Sequence, residues 1–161
     1  MMKILVMSDT HRRLHKLPVA MKKAGKIDAV IHCGDIGDDK DLIACEVGAP
    51  LYVVAGNCDY DYSLQDEIRP VFAGVPFLVT HGHRYRVNYG TDLLERIALS
   101  EGVKVVCYGH THVPDIHREE GLLVVNPGSL SEPRQSDRRP SCALIGIDDQ
   151  GVPHAEIVYL S

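Results

Sequence analysis

The sequence predicts an α/β fold, and two observations carry that reading. Short apolar runs of strand length alternate with segments whose apolar residues recur at helical spacing. Nearly every residue in the runs is apolar, the mark of strands covered on both faces. With 161 residues, 45% hydrophobic and 24% charged, the chain suits one globular domain over 1–161 and leaves little room for a second core.

The first strand, Ile4–Met7, runs into Ser8-Asp9-Thr10-His11. A helix follows, with Leu14, Leu17, Met21 and Ala24 as its stripe. Pro18 fits only a first helical turn, and Gly25 can end the helix. Ala29–Ile31 is the second strand and leads into His32-Cys33-Gly34-Asp35; Asp38 to Val47 is a weaker helix. Leu51–Ala55 precedes Gly56-Asn57-Cys58-Asp59, and Phe77–Val79 precedes Thr80-His81-Gly82-His83. Leu93, Leu94, Ile97 and Ala98 mark the next helix, with Thr91 or Asp92 at its start and Gly102 beyond its end. Val103–Tyr108 runs into Gly109-His110-Thr111-His112, and Leu122–Val125 into Asn126-Pro127-Gly128-Ser129. Ser141–Asp148 and Val152–Leu160, joined by Asp149-Gln150-Gly151, read as an antiparallel hairpin. There is no internal repeat and no linker.

Composition excludes several functions. Formal net charge is −5 without a basic stripe, so duplex nucleic acid has no counterpart for its phosphates. No apolar run approaches the ~20 residues that span a bilayer. The N-terminal apolar stretch Ile4–Met7 stops at Ser8-Asp9, too short for a secretory leader. Five cysteines without C-x-x-C spacing argue against a disulfide framework and a zinc knuckle. A reducing, cytoplasmic setting is expected.

Chemistry is concentrated where the strands end. Open α/β sheets bind ligands beyond the carboxyl ends of their strands. Asp9, His11, Asp35, Asn57, His81, His110 and His112 all follow apolar runs, so they are expected to converge. Carboxylate and amide oxygens with imidazole nitrogens suit Mn²⁺ best, with Fe, Zn or Ni as alternatives, whereas a soft thiolate site would need cysteine pairs. Two divalent ions ~4 Å apart repel by roughly 16 kcal/mol at an effective dielectric of ~20. Only Asp9 and Asp35 among these residues are anionic, so positive charge remains to attract a phosphoryl group. Each motif by itself is ordinary turn chemistry; their order, each after an apolar run, is what carries the argument.

The set D-x-H, G-D, G-N-x-D, a lone strand-end His and G-H-x-H resembles the calcineurin-like metallophosphoesterase superfamily over residues 4–134. The short length, Gly56-Asn57-Cys58-Asp59 and the stretch Asn126–Arg134 are similar to the small YfcE-type phosphodiesterases of bacteria and archaea. The resemblance implies two mixed β-sheets flanked by helices in a four-layer α-β-β-α sandwich. It also implies two divalent ions. Asp9, His11, Asp35 and His112 would hold one, and Asp35, Asn57, His81 and His110 the other, with Asp35 bridging.

The implied reaction is hydrolysis of a small phosphodiester by a metal-bridging hydroxide. Asp35, Asn57 and His83 are the catalytic candidates. Many relatives carry His where this chain has Cys58, and that histidine contacts the phosphate; His83, two residues beyond His81, is the stand-in proton donor. Asp59 reads as a turn residue. Cys58, Asn126, Gly128, Ser129 and Arg134 are the substrate-contact candidates. His32 reads as a satisfied core histidine, His15, His117 and His154 as surface residues, and 84–89 as an exposed loop. The expected partner is a small phosphodiester or nucleotide; assembly into a homo-oligomer stays open. A phosphomonoesterase or nucleotide pyrophosphatase is the rival within the class. The rival outside it is a non-catalytic protein-binding scaffold, as in the retromer subunit of the same fold, which has no need to keep seven ligand positions.

Overall fold

A computed structural model of the chain describes residues 1–161. Its strands are β1 (Met2–Met7), β2 (Ala29–His32), β3 (Leu51–Val53), β4 (Glu67–Ile68), β5 (Val71–Phe72), β6 (Val75–Thr80), β7 (Val105–Cys107), β8 (Asp115–Glu119), β9 (Leu122–Asn126), β10 (Ser141–Ile147) and β11 (Pro153–Tyr159). The helices are α1 (Leu17–Ala24), α2 (Lys40–Val47) and α3 (Asp92–Ser100). One sheet runs β11-β10-β1-β2-β3 and the other β4-β6-β7-β9-β8, with β5 added beside β6. In the first, β1, β2 and β3 are parallel while β10 and β11 are antiparallel. In the second, β6, β7 and β9 are parallel while β4 and β8 run against them. Both sheets are therefore mixed.

Side chains alternate across a strand, and this sets the layers. Ile4 and Val6 of β1 point into a core that also takes Phe77, Val79, Val105, Cys107, Leu123 and Val125 from the other sheet. Leu5 and Met7 point the opposite way, into a second core with Leu17, Ala20, Ala24 and Ile43 of α1 and α2. On the far side, Leu78, Val106 and Val124 meet Leu94 and Ala98 of α3. The order is helix, sheet, sheet, helix, which is the four-layer sandwich that the motifs implied. No helix is long and apolar enough to cross a membrane.

Where structure and sequence reading differ, packing is the reason. Helix α1 begins at Leu17, with Pro18 in its first turn and Gly25, at φ 71°, ending it. The third apolar run yields only three strand residues, half-buried at a sheet edge rather than covered on both faces. Strands β4, β5 and β8 lack the apolar signal. β8, Asp-Ile-His-Arg-Glu, is an edge strand held by its pairing to β9. On α3 the buried set is Leu94, Glu95 and Ala98, whereas Leu93 is exposed.

Glu95 is buried because it has partners. It accepts from Thr91 Oγ1 at 2.8 Å and meets His117 Nε2 at 3.1 Å, and His117 Nδ1 meets Asp115 at 2.6 Å. His117 is thus a clasp between α3 and β8, not a free surface residue. Burial lowers its pKa, but hydrogen bonds to Asp115 and Glu95 outweigh this and hold it above the usual 6.5. A raised folded-state value means that the clasp stabilises below the unfolded pKa and fades as pH rises through the folded one. Thermal melts of His117→Gln should therefore show a lower Tm at acidic pH, by about 2–4 °C for the ~1 kcal/mol of a partly exposed pair. The difference should close in alkaline buffer; a pH-independent offset would rule out the charged clasp.

Candidate metal centre

The ligand loops are stitched together by backbone bonds between strand ends. Asp9 N donates to Gly34 O at 3.0 Å, His11 N to Asp35 O at 3.0 Å, and Gly109 N to His81 O at 3.0 Å. The first two join neighbouring parallel strands of one sheet, and the third joins neighbours of the other. The hydrogen bond from His110 N to Asp9 Oδ2, at 3.0 Å, crosses between the sheets. A single site at one edge of the sandwich follows from this topology.

All seven expected ligands meet there. Asp9 Oδ1 lies 3.2 Å from His112 Nε2 and 3.8 Å from His11 Nε2, and the two imidazole nitrogens are 3.3 Å apart. On the other side, His81 Nε2 lies 3.0 Å from Asn57 Oδ1 and 3.3 Å from His110 Nδ1. Asp35 Oδ2 sits between the halves, 3.4 Å from His11 Nε2 and 3.3 Å from His81 Nε2. Ligand atoms of Asp9, His11, Asp35 and His112 all fall within 4.8 Å of one another.

This donor set fits divalent cations. Asp9 Oδ1 is buried without a hydrogen-bond partner, while Oδ2 accepts from Ser8 Oγ at 2.6 Å and from His110 N. An unsatisfied buried acceptor costs about 1–3 kcal/mol, which a cation beside it removes. His81 Nδ1 donates to Cys33 O at 2.7 Å and His112 Nδ1 to Glu132 O at 2.6 Å, so the Nε2 lone pairs face inward. Burial raises the Asp9 pKa, but the nearby His112 and His81 imidazoles, with the Ser8 hydroxyl, bring it below the usual carboxylate value. Burial likewise works against Asp35, and His81 with the Cys58 amide holds it well below that range. Both acids stay ionised.

Five of the ligands adopt the left-handed backbone region: Asp9 (φ 55°), His11 (46°), Asp35 (57°), His110 (72°) and His112 (60°). Such conformations are uncommon outside glycine and cost on the order of 1 kcal/mol or more each. Each turns its side chain off the end of a strand and into the cluster. Gly56 and Gly109 are required by the close approach of neighbouring ligand loops. A Cβ at 56 would collide with the Asp35 carboxylate, and one at 109 with Ser8 Oγ and, at 2.7 Å, with Asp9 Oδ2.

The remaining candidates divide. Asn126, Gly128 and Ser129 are buried, which corrects their reading as substrate contacts. Asn126 bonds Thr111 Oγ1 at 2.9 Å and accepts from Gly128 N, and Ser129 Oγ donates to Asp9 O at 2.8 Å, so this loop braces the ligands. Cys58 and Arg134 are exposed. Burial and the Asp35 carboxylate push the Cys58 thiol upward, keeping it protonated. His83 lies 5.4 Å from the His81 ring and 6.1 Å from the His110 ring, with Nδ1 buried and unpartnered. Asp59 accepts from the amides of Gly56, Ile36 and Gly37 and is a loop anchor, as its turn reading implied. His32, with its pKa lowered to about 4 by burial, bonds Thr10 Oγ1 at 3.0 Å and accepts from Gly34 N: a satisfied core histidine. The orienting carbonyls of Cys33 and Glu132, and Ser8, left no signal in the sequence.

Known proteins match most of the chain. The chain is 32% identical over 149 residues to the probable metallophosphoesterase YsnB of Bacillus subtilis, covering 92% of this chain and 86% of that one. It is 31% identical over 144 residues to a phosphodiesterase of Methanocaldococcus jannaschii, covering 79% and 83%. A predicted phosphoesterase of Streptococcus pneumoniae superposes with a TM-score of 0.79 at 28% identity, covering 98% and 97%. Residues 2–150 match the calcineurin-like phosphoesterase superfamily domain, and the chain belongs to that family.

Proposed function

We propose that this metallophosphoesterase is a phosphodiesterase that acts on small phosphodiesters with two divalent cations, Mn²⁺ foremost. The supporting observation is Asp35 Oδ2, nearly equidistant from the His11 and His81 nitrogens, where one oxygen serves two clusters. When bound, the ions supply positive charge to phosphoryl oxygens and acidify water. Asp9, His11, Asp35 and His112 would hold one, and Asp35, Asn57, His81 and His110 the other. Cys33 O and Glu132 O keep two imidazoles aimed inward, and the Cys58 amide, at 2.9 Å from Asp35 Oδ1, fixes the shared carboxylate. In this reading His83, beside His81 and His110, would give a proton to the departing oxygen, with solvent as its substitute. The exposed thiols Cys45 and Cys58 support a reducing, cytoplasmic setting.

Metal analysis with activity on a panel of esters tests this reading. Chelation should abolish turnover, and Mn²⁺ should restore more than Mg²⁺, which prefers all-oxygen coordination. Full activity in a metal-free sample defeats the proposal.

Cys58 favours diesters over monoesters. A neutral thiol offers no cationic donor, which a near-dianionic monoester needs more than a singly charged diester does. Cys58→His should raise the monoester-to-diester ratio of kcat/KM by at least ~10-fold, toward the ~10²–10⁴ of a well-placed general acid. The ratio is read on matched aryl substrates at equal metal content. An unchanged ratio would show that residue 58 does not set the preference.

A further inference from the structure

The metal cluster is flanked by two clefts of opposite character. On the His112 side, Arg13, Ser131, Glu132, Pro133, Arg134 and Arg138 line a cleft of about 410 Å³ that has no hydrophobic residue in its wall. Arg134 and Arg138 form no ion pair, and Arg13 meets Glu132 at 3.4 Å, so three cations face one carboxylate. The neighbouring arginines are engaged elsewhere: Arg12 pairs with Asp38, and Arg139 lies over the Tyr159 ring. On the Asn57 side, a cleft of about 430 Å³ carries Asp59, Asp61 and Asp66 with Tyr62, and its Arg84 is neutralised by Asp66 at 2.9 Å.

The arginine cleft is fixed to the ligands. Glu132 O holds His112 Nδ1 at 2.6 Å, Arg134 N donates to His112 O at 3.1 Å, and Ser131 Oγ donates to Thr10 O at 2.8 Å. The arginine cleft therefore borders the metal cluster through His112, whereas the acidic one borders it through Asn57. Net charge in the cleft is close to +2, the complement of a phosphate dianion, and guanidinium forks match phosphate oxygens in geometry.

We propose that the cleft of Arg13, Arg134 and Arg138 binds a second phosphate, carried on one arm of the diester. The substrate class is then a phosphodiester with a terminal phosphate, oriented with that arm toward His112 and its uncharged arm toward Asn57. The acidic cleft repels the anionic arm and fixes this direction. The inference rests on the phosphodiesterase reading for its turnover but not for its binding.

Two ratios test it on the metal-loaded protein. The first compares kcat/KM for ethyl p-nitrophenyl phosphate with its analogue bearing a phosphate on the ethyl arm. Wild type should prefer the analogue by about 10-fold or more, chiefly through KM, since only the analogue can form charge-assisted bonds to the guanidinium groups. The second compares calorimetric Kd values for ethyl phosphate and 1,2-ethanediol bisphosphate, which need no turnover. Arg134→Ala/Arg138→Ala should bring both ratios close to one, and Arg134→Lys should restore part of each. The Arg134 backbone bond to His112 survives these side-chain changes. If neither diester turns over but the bisphosphate advantage is present and lost in the double variant, the cleft stands and the phosphodiesterase reading falls. A wild-type binding ratio near one, or a ratio unmoved by the double variant, overturns the cleft.

Discussion

Asp35→Asn should lower kcat/KM by about 10³-fold, on the order of 4 kcal/mol, while the chain still folds. The substitution keeps shape and keeps an oxygen able to accept from the Cys58 amide, which bonds Asp35 Oδ1 at 2.9 Å. What it removes is the negative charge that lies 3.3–3.4 Å from both His81 and His11. Two dications ~4 Å apart repel by roughly 16 kcal/mol at an effective dielectric of ~20, and the remaining carboxylate, Asp9, lies in only one ligand set. Bound metal should fall below two ions per chain at stoichiometric supply. His112→Ala, which touches one set, should lose less and recover partly in excess Mn²⁺. Near-normal turnover of Asp35→Asn with full metal content would defeat the assignment of the shared ligand.

Gly56→Ala should unseat the same carboxylate from behind. Its Cβ would fall onto Asp35 Oδ1 and the Asp35 backbone amide, and backbone on that loop cannot swing aside like a side-chain tip. Gly56 is itself held, donating to Asp59 Oδ2 at 2.8 Å. Overpacking of this kind costs about 1–3 kcal/mol, a fall of roughly 3–10 °C in Tm. Displacing a ligand by ~1 Å costs about 10²-fold in activity. Gly146→Ala is the control, because its new Cβ meets only the flexible end of Met1. Equal melts and equal activity for both variants would show that the loop at 56 has slack the structure does not suggest.

Residues alone determined a good deal. Apolar runs such as Ile4–Met7 and Leu122–Val125 mark buried strands because a strand covered on both faces needs an apolar residue at every position. The seven candidate ligands were legible because each follows such a run, and parallel strands leave their ends at one edge. Pro18 and Gly25 placed the ends of α1 through purely local backbone chemistry, while Thr91 stands at the start of α3 without a side-chain capping bond.

Tertiary structure decided the rest. β8 is polar and has no local signal; it is a strand because β9 offers it a ladder. Glu95 is buried and Leu93 exposed because His117 reaches α3 from that strand, a contact across 22 residues. Asn126 and Ser129 looked like substrate contacts by sequence position, yet the loop folds inward and their polar atoms close on Thr111 and Asp9. The left-handed backbone at Asp9, His11, Asp35, His110 and His112 was not legible residue by residue, since Asp and His visit that region more readily than most side chains yet still adopt it only rarely. It exists because cross-strand hydrogen bonds and packing over-determine the loops, and a strain of a kcal/mol or so at each residue is offset only once the whole sandwich has formed.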